Sequence, residues 1–399
     1  MAEKLEQENL DFDRVIDRRN TDCLMYDLAE RRGKPADVLP LWVADMGFRT
    51  SQAVLDALQE RIAHGIFGYT EPGDSYFEAV AGWMQRQHDW QVEPEWLIKT
   101  PGVVFALAMA VKAYTQPGES VLIQSPVYYP FSEVIRDNGR RLVESPLIRG
   151  ADGRYQIDLT DFEQKIIQNQ VKLFLLCSPH NPVGRVWEKE ELLQLAQICE
   201  KHHVIIVSDE IHHDFVFWGK KHWVFSTLSP EIAERTITCT APSKTFNLAG
   251  MQVSNIFISN EELRRKFQHE VDAAGYSQLN TLGLLACETA YQKGETWYRE
   301  LLRYLEKNIV FTKEYLQKHL PKAEMTMPEG TYLVWIDFRK LGLDVKELDR
   351  IILYEAKLWL DSGRIFGKPG EGFQRINVAC QRSILETALE KLVKSLNSY

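Results

Sequence analysis

The chain has 399 residues, enough for two domains or for one large and one small. Hydrophobic residues make up 45% and charged residues 26%, as in an ordinary globular enzyme. The net charge is −9, and basic residues form only short runs such as Arg31-Arg32 and Lys220-Lys221, which argues against a nucleic-acid footprint. The six cysteines are scattered without a C-x-x-C and several lie in apolar runs, so they read as buried reduced thiols. The N-terminus is acidic and polar rather than a secretory signal. The longest apolar stretch, Val103 to Val111, is too short for a bilayer, which takes about 20 residues. A soluble, cytoplasmic protein with no nucleic-acid or membrane partner is expected.

In chain order, Thr100-Pro-Gly-Val-Val104 precedes an apolar helix over Phe105 to Tyr114. Val121 to Gln124 reads as a short strand, followed by Ser125-Pro-Val-Tyr-Tyr-Pro130. Val171 to Cys177 is a buried strand that runs into Ser178-Pro-His-Asn-Pro182. Glu188 to His202 has Leu192, Leu195, Ala196 and Cys199 on one face, the spacing of an amphipathic helix. Three more strands follow at Val204–Ser208, Thr236–Thr240 and Val253–Ile258. Strands separated by helical stretches predict an α/β fold, a mainly parallel sheet between helices. Thr281 to Leu320 is mostly helical, broken near Lys293-Gly294. The strand-like Tyr332–Phe338, an amphipathic segment from Val345 to Leu358 and the strand-like Arg375–Ala379 then give an α+β layout. The expected division is a large domain over 50–290 and a smaller α+β domain built from 1–49 and 291–399.

Ligands collect at the carboxyl ends of strands in such a sheet, and Asn181, Asp209 and Lys244 each lie just past a strand end. Lys244 sits in the small-residue loop Ala241-Pro-Ser-Lys-Thr-Phe-Asn-Leu-Ala-Gly250. A lysine held there can form a Schiff base with an aldehyde cofactor, and pyridoxal 5′-phosphate (PLP) is the common one. PLP needs one lysine and one acid near its ring nitrogen. Asp209 is the acid candidate, since a carboxylate there keeps the nitrogen protonated. Alone, an aspartate after a strand is most often a helix cap or turn, and Asn181-Pro182 is a turn signal. Together with Lys244 they point to a site, with the Asn181 amide donating to the ring's phenolic oxygen. The N–H groups of Gly102, Val103 and Val104 at a helix start suit a phosphate, and the Ser243 hydroxyl adds to them. Tyr128 can stack on the ring. Arg375, opening an apolar strand, suits a two-point grip on a carboxylate. His212 lies in Asp209-Glu-Ile-His-His-Asp214. A metal site of His212, His213 and Asp214 is disfavoured, because adjacent histidines point apart and no third ligand is near in sequence. A hydrogen bond from His212 to the cofactor or to Asp209 is expected instead, and no metal.

With Tyr69, these residues form an ordered set that resembles the fold-type I PLP enzymes of the aspartate aminotransferase superfamily. Within it the chain is most similar to the cysteine-S-conjugate (cystathionine) β-lyase family, in its cystalysin-like branch. The motifs are Leu41-Trp-Val-Ala-Asp-Met46, Phe67-Gly-Tyr-Thr70, Thr100-Pro-Gly-Val-Val104, Pro126-Val-Tyr-Tyr-Pro130, Cys177-Ser-Pro-His-Asn-Pro-Val-Gly-Arg-Val-Trp187, Ser208-Asp-Glu-Ile-His212, Thr240-Ala-Pro-Ser-Lys-Thr-Phe-Asn247, Glu329-Gly-Thr-Tyr332 and Arg375-Ile-Asn377. The resemblance implies PLP, an aminotransferase-like fold, and α,β-elimination from cystathionine, L-cysteine or another small sulfur amino acid. It implies Lys244, Tyr128 and Asp209 as catalytic residues, and Arg375, Tyr69, Tyr128 and Ala44 around the substrate. It also implies a homodimer in which Tyr69 reaches the partner's phosphate. The chain departs from the aminotransferases at His212, where they carry tyrosine, and at Gln252, where they carry a phosphate-binding arginine. It departs from the lyases at Gly47, where they carry an acid. An aminotransferase on the same scaffold is the alternative activity; a protein that keeps the fold without chemistry would be expected to lose Lys244 or Asp209.

Overall fold

The structure is a computed structural model that describes residues 10–397 and 399. Its larger sheet has seven strands: β1 (Leu97–Thr100), β2 (Ser120–Ile123), β3 (Arg141–Glu144), β4 (Leu173–Cys177), β5 (Ile205–Asp209), β6 (Thr236–Thr240) and β7 (Ser254–Phe257). Their spatial order is β1-β7-β6-β5-β4-β2-β3. The run from β6 to β3 is parallel, and only β7 runs antiparallel to both of its neighbours. Helices cover both faces, so the central strands β4 and β6 are buried along their whole length and read as continuous apolar or β-branched runs. The edge strand β3 is half exposed and carries charge.

Three of the strands expected from the sequence match β4, β5 and β6 closely, and the expected helix at 188–202 is Lys189–Lys201. Its start is fixed by a capping box in which Glu188 and Glu191 exchange side-chain bonds with backbone N–H groups. The sheet also contains β1 and β3, which the sequence reading did not mark.

A second sheet is antiparallel, in the order Glu324–Thr326 (β8), Leu333–Asp337 (β9), Phe373–Asn377 (β11), Asp361–Ser362 (β10). The segment 345–358 is not one amphipathic element: an α-helix over Val345–Arg350 widens into a π-turn over Ile351–Glu355, and Leu358–Trp359 pairs in parallel with Leu39–Pro40. That pairing draws the N-terminal segment against the second sheet, where Trp42 stacks on Trp359 at 4.4 Å. From there residues 43–48 pass over the carboxyl end of the large sheet. None of the helices among the described residues is long and apolar enough to cross a membrane.

Candidate active site

The carboxyl ends of β1, β4, β5 and β6 deliver Gly102, Asn181, Asp209 and Lys244 to the wall of one cavity of about 390 Å³. Val103, Val104, Tyr128, His212, Ser243 and Ala44 line the same cavity. Two expected residues stand elsewhere. Arg375 lies behind Asn181, and Tyr69, 97% exposed, lies on a separate surface depression beside Tyr276 and Asn280.

Lys244 sits on the short helical turn Pro242–Thr245 that follows β6. Its amine donates to the Ala44 carbonyl (2.7 Å). Burial pushes its pKa down to about 8, against the pull of Asp45 and Asp209 and with help from the Arg375 charge. The backbone it binds is itself clamped. The Asn247 amide accepts from Met46 N–H (3.0 Å) and donates to the Met46 and Phe48 carbonyls (3.1 and 2.8 Å). Asn377 donates to the carbonyls of Val43 and Asp45, both at 2.6 Å, and the Tyr332 hydroxyl donates to Ala44 (2.9 Å). Asn247 has a left-handed backbone (φ 55°) that asparagine tolerates. Both asparagines lie in the motifs Lys244–Asn247 and Arg375–Asn377, yet the sequence reading gave them no role.

Asp209 ends β5 and is 5% exposed. Burial pushes its carboxyl up to about 7, aided by Glu210 and opposed by the Ile211 N–H and Lys244. Among the described residues, the Ile211 N–H (3.1 Å) is the one hydrogen-bond donor to that carboxylate. Asn181 is held by its neighbours: its N–H reaches Cys177 Sγ (3.4 Å), its carbonyl accepts from Tyr128 N–H (3.1 Å), and its Oδ1 accepts from Arg375 Nη1 (3.0 Å). Fixing the amide oxygen to a guanidinium leaves its nitrogen as a donor for the cavity it lines. The loop closes at Gly184, where φ is +71° and a Cβ would meet Pro328 at 2.7 Å, so glycine is required.

His212 is buried beside Tyr332 and Phe215. Burial and the charges of Lys244 and Arg375 push its pKa well below the usual value, so the ring is neutral. Its Nδ1 has no partner among the described residues. The expected bond from His212 to Asp209 is absent among the described residues. The cluster around Asp214 also differs from expectation: its third member is His88, from a distant helix, and His212 takes no part. His88 Nε2 lies 2.8 Å from Asp214 Oδ1 and His213 Nε2 lies 3.2 Å from Oδ2, while Thr245 and Trp83 also donate to this carboxylate. The His88 contact is a hydrogen bond, whereas His213 lies within ion-pair distance only. The network ties Thr245, and with it the turn that carries Lys244, to the core.

At the other two departures, Gln381 fills the space over Gly47, since a Cβ there would meet its Oε1 at 2.7 Å. Gln252 lines the cavity and turns its amide to the Ala249 carbonyl (3.0 Å).

The family model for aminotransferase class I and II matches residues 36–392. The chain belongs to that family. It is 44% identical over 388 residues to cystathionine beta-lyase PatB of Bacillus subtilis, covering 97% of this chain and 100% of the relative. It superposes on the structure of cystalysin from Treponema denticola, which contains a pyridoxal 5′-phosphate cofactor. The TM-score is 0.94 at 39% identity, with 97% of this chain and 99% of the other covered. A PLP-bound putative aminotransferase from Clostridium difficile 630 gives a TM-score of 0.95 at 42% identity, covering 97% and 100%.

Proposed function

We propose that the chain is a PLP-dependent carbon–sulfur β-lyase acting on cystathionine, L-cysteine or a related S-conjugate, with pyruvate, ammonia and a thiol or sulfide as products. The observation that carries this is the pairing of Lys244 and Asp209 at the ends of adjacent strands on one cavity, in a chain 44% identical to a cystathionine β-lyase. The residues present fit the cofactor. Among the described residues, Asp209 is a buried carboxyl with no cationic hydrogen-bond partner, His212 Nδ1 is unpartnered, and the helix at Val103 begins without a side-chain cap.

PLP, when bound, supplies an aldehyde that captures an amine and a protonated ring that withdraws electrons from the substrate Cα. Asp209 would hold the proton at the ring nitrogen. Asn181 would donate to the phenolic oxygen, Tyr128 would stack on the ring, His212 would hydrogen-bond to the cofactor, and Ser243 with the N–H groups of Gly102, Val103 and Val104 would take the phosphate. Lys244 removes the Cα proton; an amine with a pKa of about 8 is unprotonated often enough near neutrality to act as a base. Arg375 binds the substrate carboxylate. The Cβ–S bond then breaks, the electron pair leaves with sulfur, and Lys244 or Tyr128 returns a proton to it; the released three-carbon enamine takes up one water to give pyruvate and ammonia. Ala44 holds Lys244 through its carbonyl and borders the substrate.

The working unit in this reading is a cytoplasmic homodimer in which Tyr69 completes the partner's phosphate site, in keeping with its exposure in the single chain. The chain divides into a large domain over 50–290 and a small one from 1–49 and 291–399, each holding one of the two larger sheets. Transamination is the second reading, favoured by the aminotransferase name of one close structural relative. Cystathionine, cysteine and alanine given to the holoenzyme separate them: pyruvate with a thiol or sulfide from the first two, and none from alanine, is the lyase result.

A further inference from the structure

Arg375 and Asp361 face each other in direct register across β11 and β10. Their side chains are 3% and 8% exposed and form an ion pair. A guanidinium has five N–H donors. Both hydrogens of Nη2 are committed, one to Asp361 and one to the Trp42 carbonyl (2.8 Å). One hydrogen of Nη1 goes to Asn181 (3.0 Å). What remains is the second Nη1 hydrogen and Nε, which is buried without a partner among the described residues.

A two-point grip on a carboxylate uses neighbouring donors, Nη1 with Nη2 or Nε with Nη2. Either fork includes Nη2, so one of its present acceptors must withdraw. The Trp42 carbonyl is fixed backbone, next to the Leu41 N–H bond to Trp359 (2.9 Å) and under the Trp42–Trp359 stack. Asp361 is a side chain of the same charge as the incoming group. It also borders a second cavity of about 380 Å³, lined by Lys34, Arg364 and Gln374, which offers space and cations to a displaced carboxylate. Burial pushes the Asp361 carboxyl up despite Arg375 beside it.

Resting on the reading of Arg375 as the substrate-carboxylate arginine, we infer that Asp361 is a resident carboxylate that occupies Arg375 until the substrate's α-carboxylate displaces it. Asp361 thus acts through Arg375 as a positioning residue that sets carboxylate affinity by competition.

The test is titration of the Asp361→Asn holoenzyme with L-alanine, which has no leaving group, and with L-alaninamide, which has no carboxylate. Alanine should bind about tenfold tighter than to the parent enzyme, the scale of one charge-assisted hydrogen bond, and alaninamide should be unchanged. Unchanged or weaker alanine binding overturns the inference. So does an equal change for both ligands, which general loosening of the site would give. Asp361→Ser carries the same expectation should the asparagine variant not fold. Arg375→Lys should weaken alanine more than alaninamide; equal weakening would remove Arg375 from carboxylate binding and overturn both readings, whereas selective weakening with no tightening in Asp361→Asn sinks the inference alone.

Discussion

Asp209→Asn should make the cofactor-free protein more stable while making it a worse holder of cofactor. The wild-type carboxyl is pushed up to about 7 by burial, from an ordinary 3.8. The folded state therefore binds the Asp209 proton more tightly than the unfolded chain does, and stability is lost as pH rises from about 4 through 7. Linkage puts that loss at about 4 kcal/mol at pH 8 and about 0.6 kcal/mol at pH 4. Asparagine has no charge to bury, so the variant escapes the loss. Urea unfolding of the two apoproteins, at matched concentration, should favour the variant by an amount that grows from pH 4 to pH 8. Cofactor affinity should move the other way, falling about 10- to 150-fold with loss of a charged hydrogen bond worth about 1.5–3 kcal/mol. A variant less stable than wild type at pH 8, or a difference independent of pH, would refute the reasoning that Asp209 waits for a cation.

Burial pushes the Asp214 carboxyl up, but His213 and His88 outweigh it and hold it below the usual carboxylate range. Burial also pushes His213 down, so the carboxylate is held at neutral pH mainly by its hydrogen-bond donors, and Asp214→Asn should cost about 1–3 kcal/mol at pH 7; the difference from wild type, read by urea unfolding, should shrink as pH falls below about 4, and a constant difference would contradict the account of a buried, hydrogen-bonded carboxylate. Borohydride reduction of the holoenzyme should fix pyridoxyl on the peptide that contains Lys244, and Lys244→Ala should lose both this label and nearly all turnover; a label on another lysine would overturn the assignment. If Tyr69 completes the partner's site, mixing the inactive Tyr69→Ala and Lys244→Ala variants should produce hybrids with one intact site, about a quarter of wild-type activity after full subunit exchange. No recovery in a verified hybrid would place Tyr69 outside the partner's site.

The residues that line the cavity were legible because each follows a strong local signal. Asp209 ends β5 and Lys244 sits on the turn that follows β6, both buried apolar or β-branched runs, and Gly102 stands before an apolar helix. Less was readable where long-range pairing decides. Leu97-Ile-Lys-Thr100 and Arg141-Leu-Val-Glu144 become strands through their neighbours, and nothing in Ser254–Phe257 announces that it runs antiparallel. Leu358–Trp359 leaves its helical pattern because Leu39–Pro40 pairs with it. His88 joins Asp214 from 126 positions away. The clamp by Asn247 and Asn377 was invisible for a related reason: its targets are backbone atoms of a segment some 200 and 330 residues distant.

The most direct test of the central claim is to supply cystathionine or L-cysteine to the holoenzyme with no keto acid present. Elimination regenerates the starting enzyme in every cycle, so pyruvate, ammonia and thiol or sulfide should appear in step over many turnovers. A single turnover that stalls and restarts only when a keto acid is added would contradict the account and assign the chain to transamination.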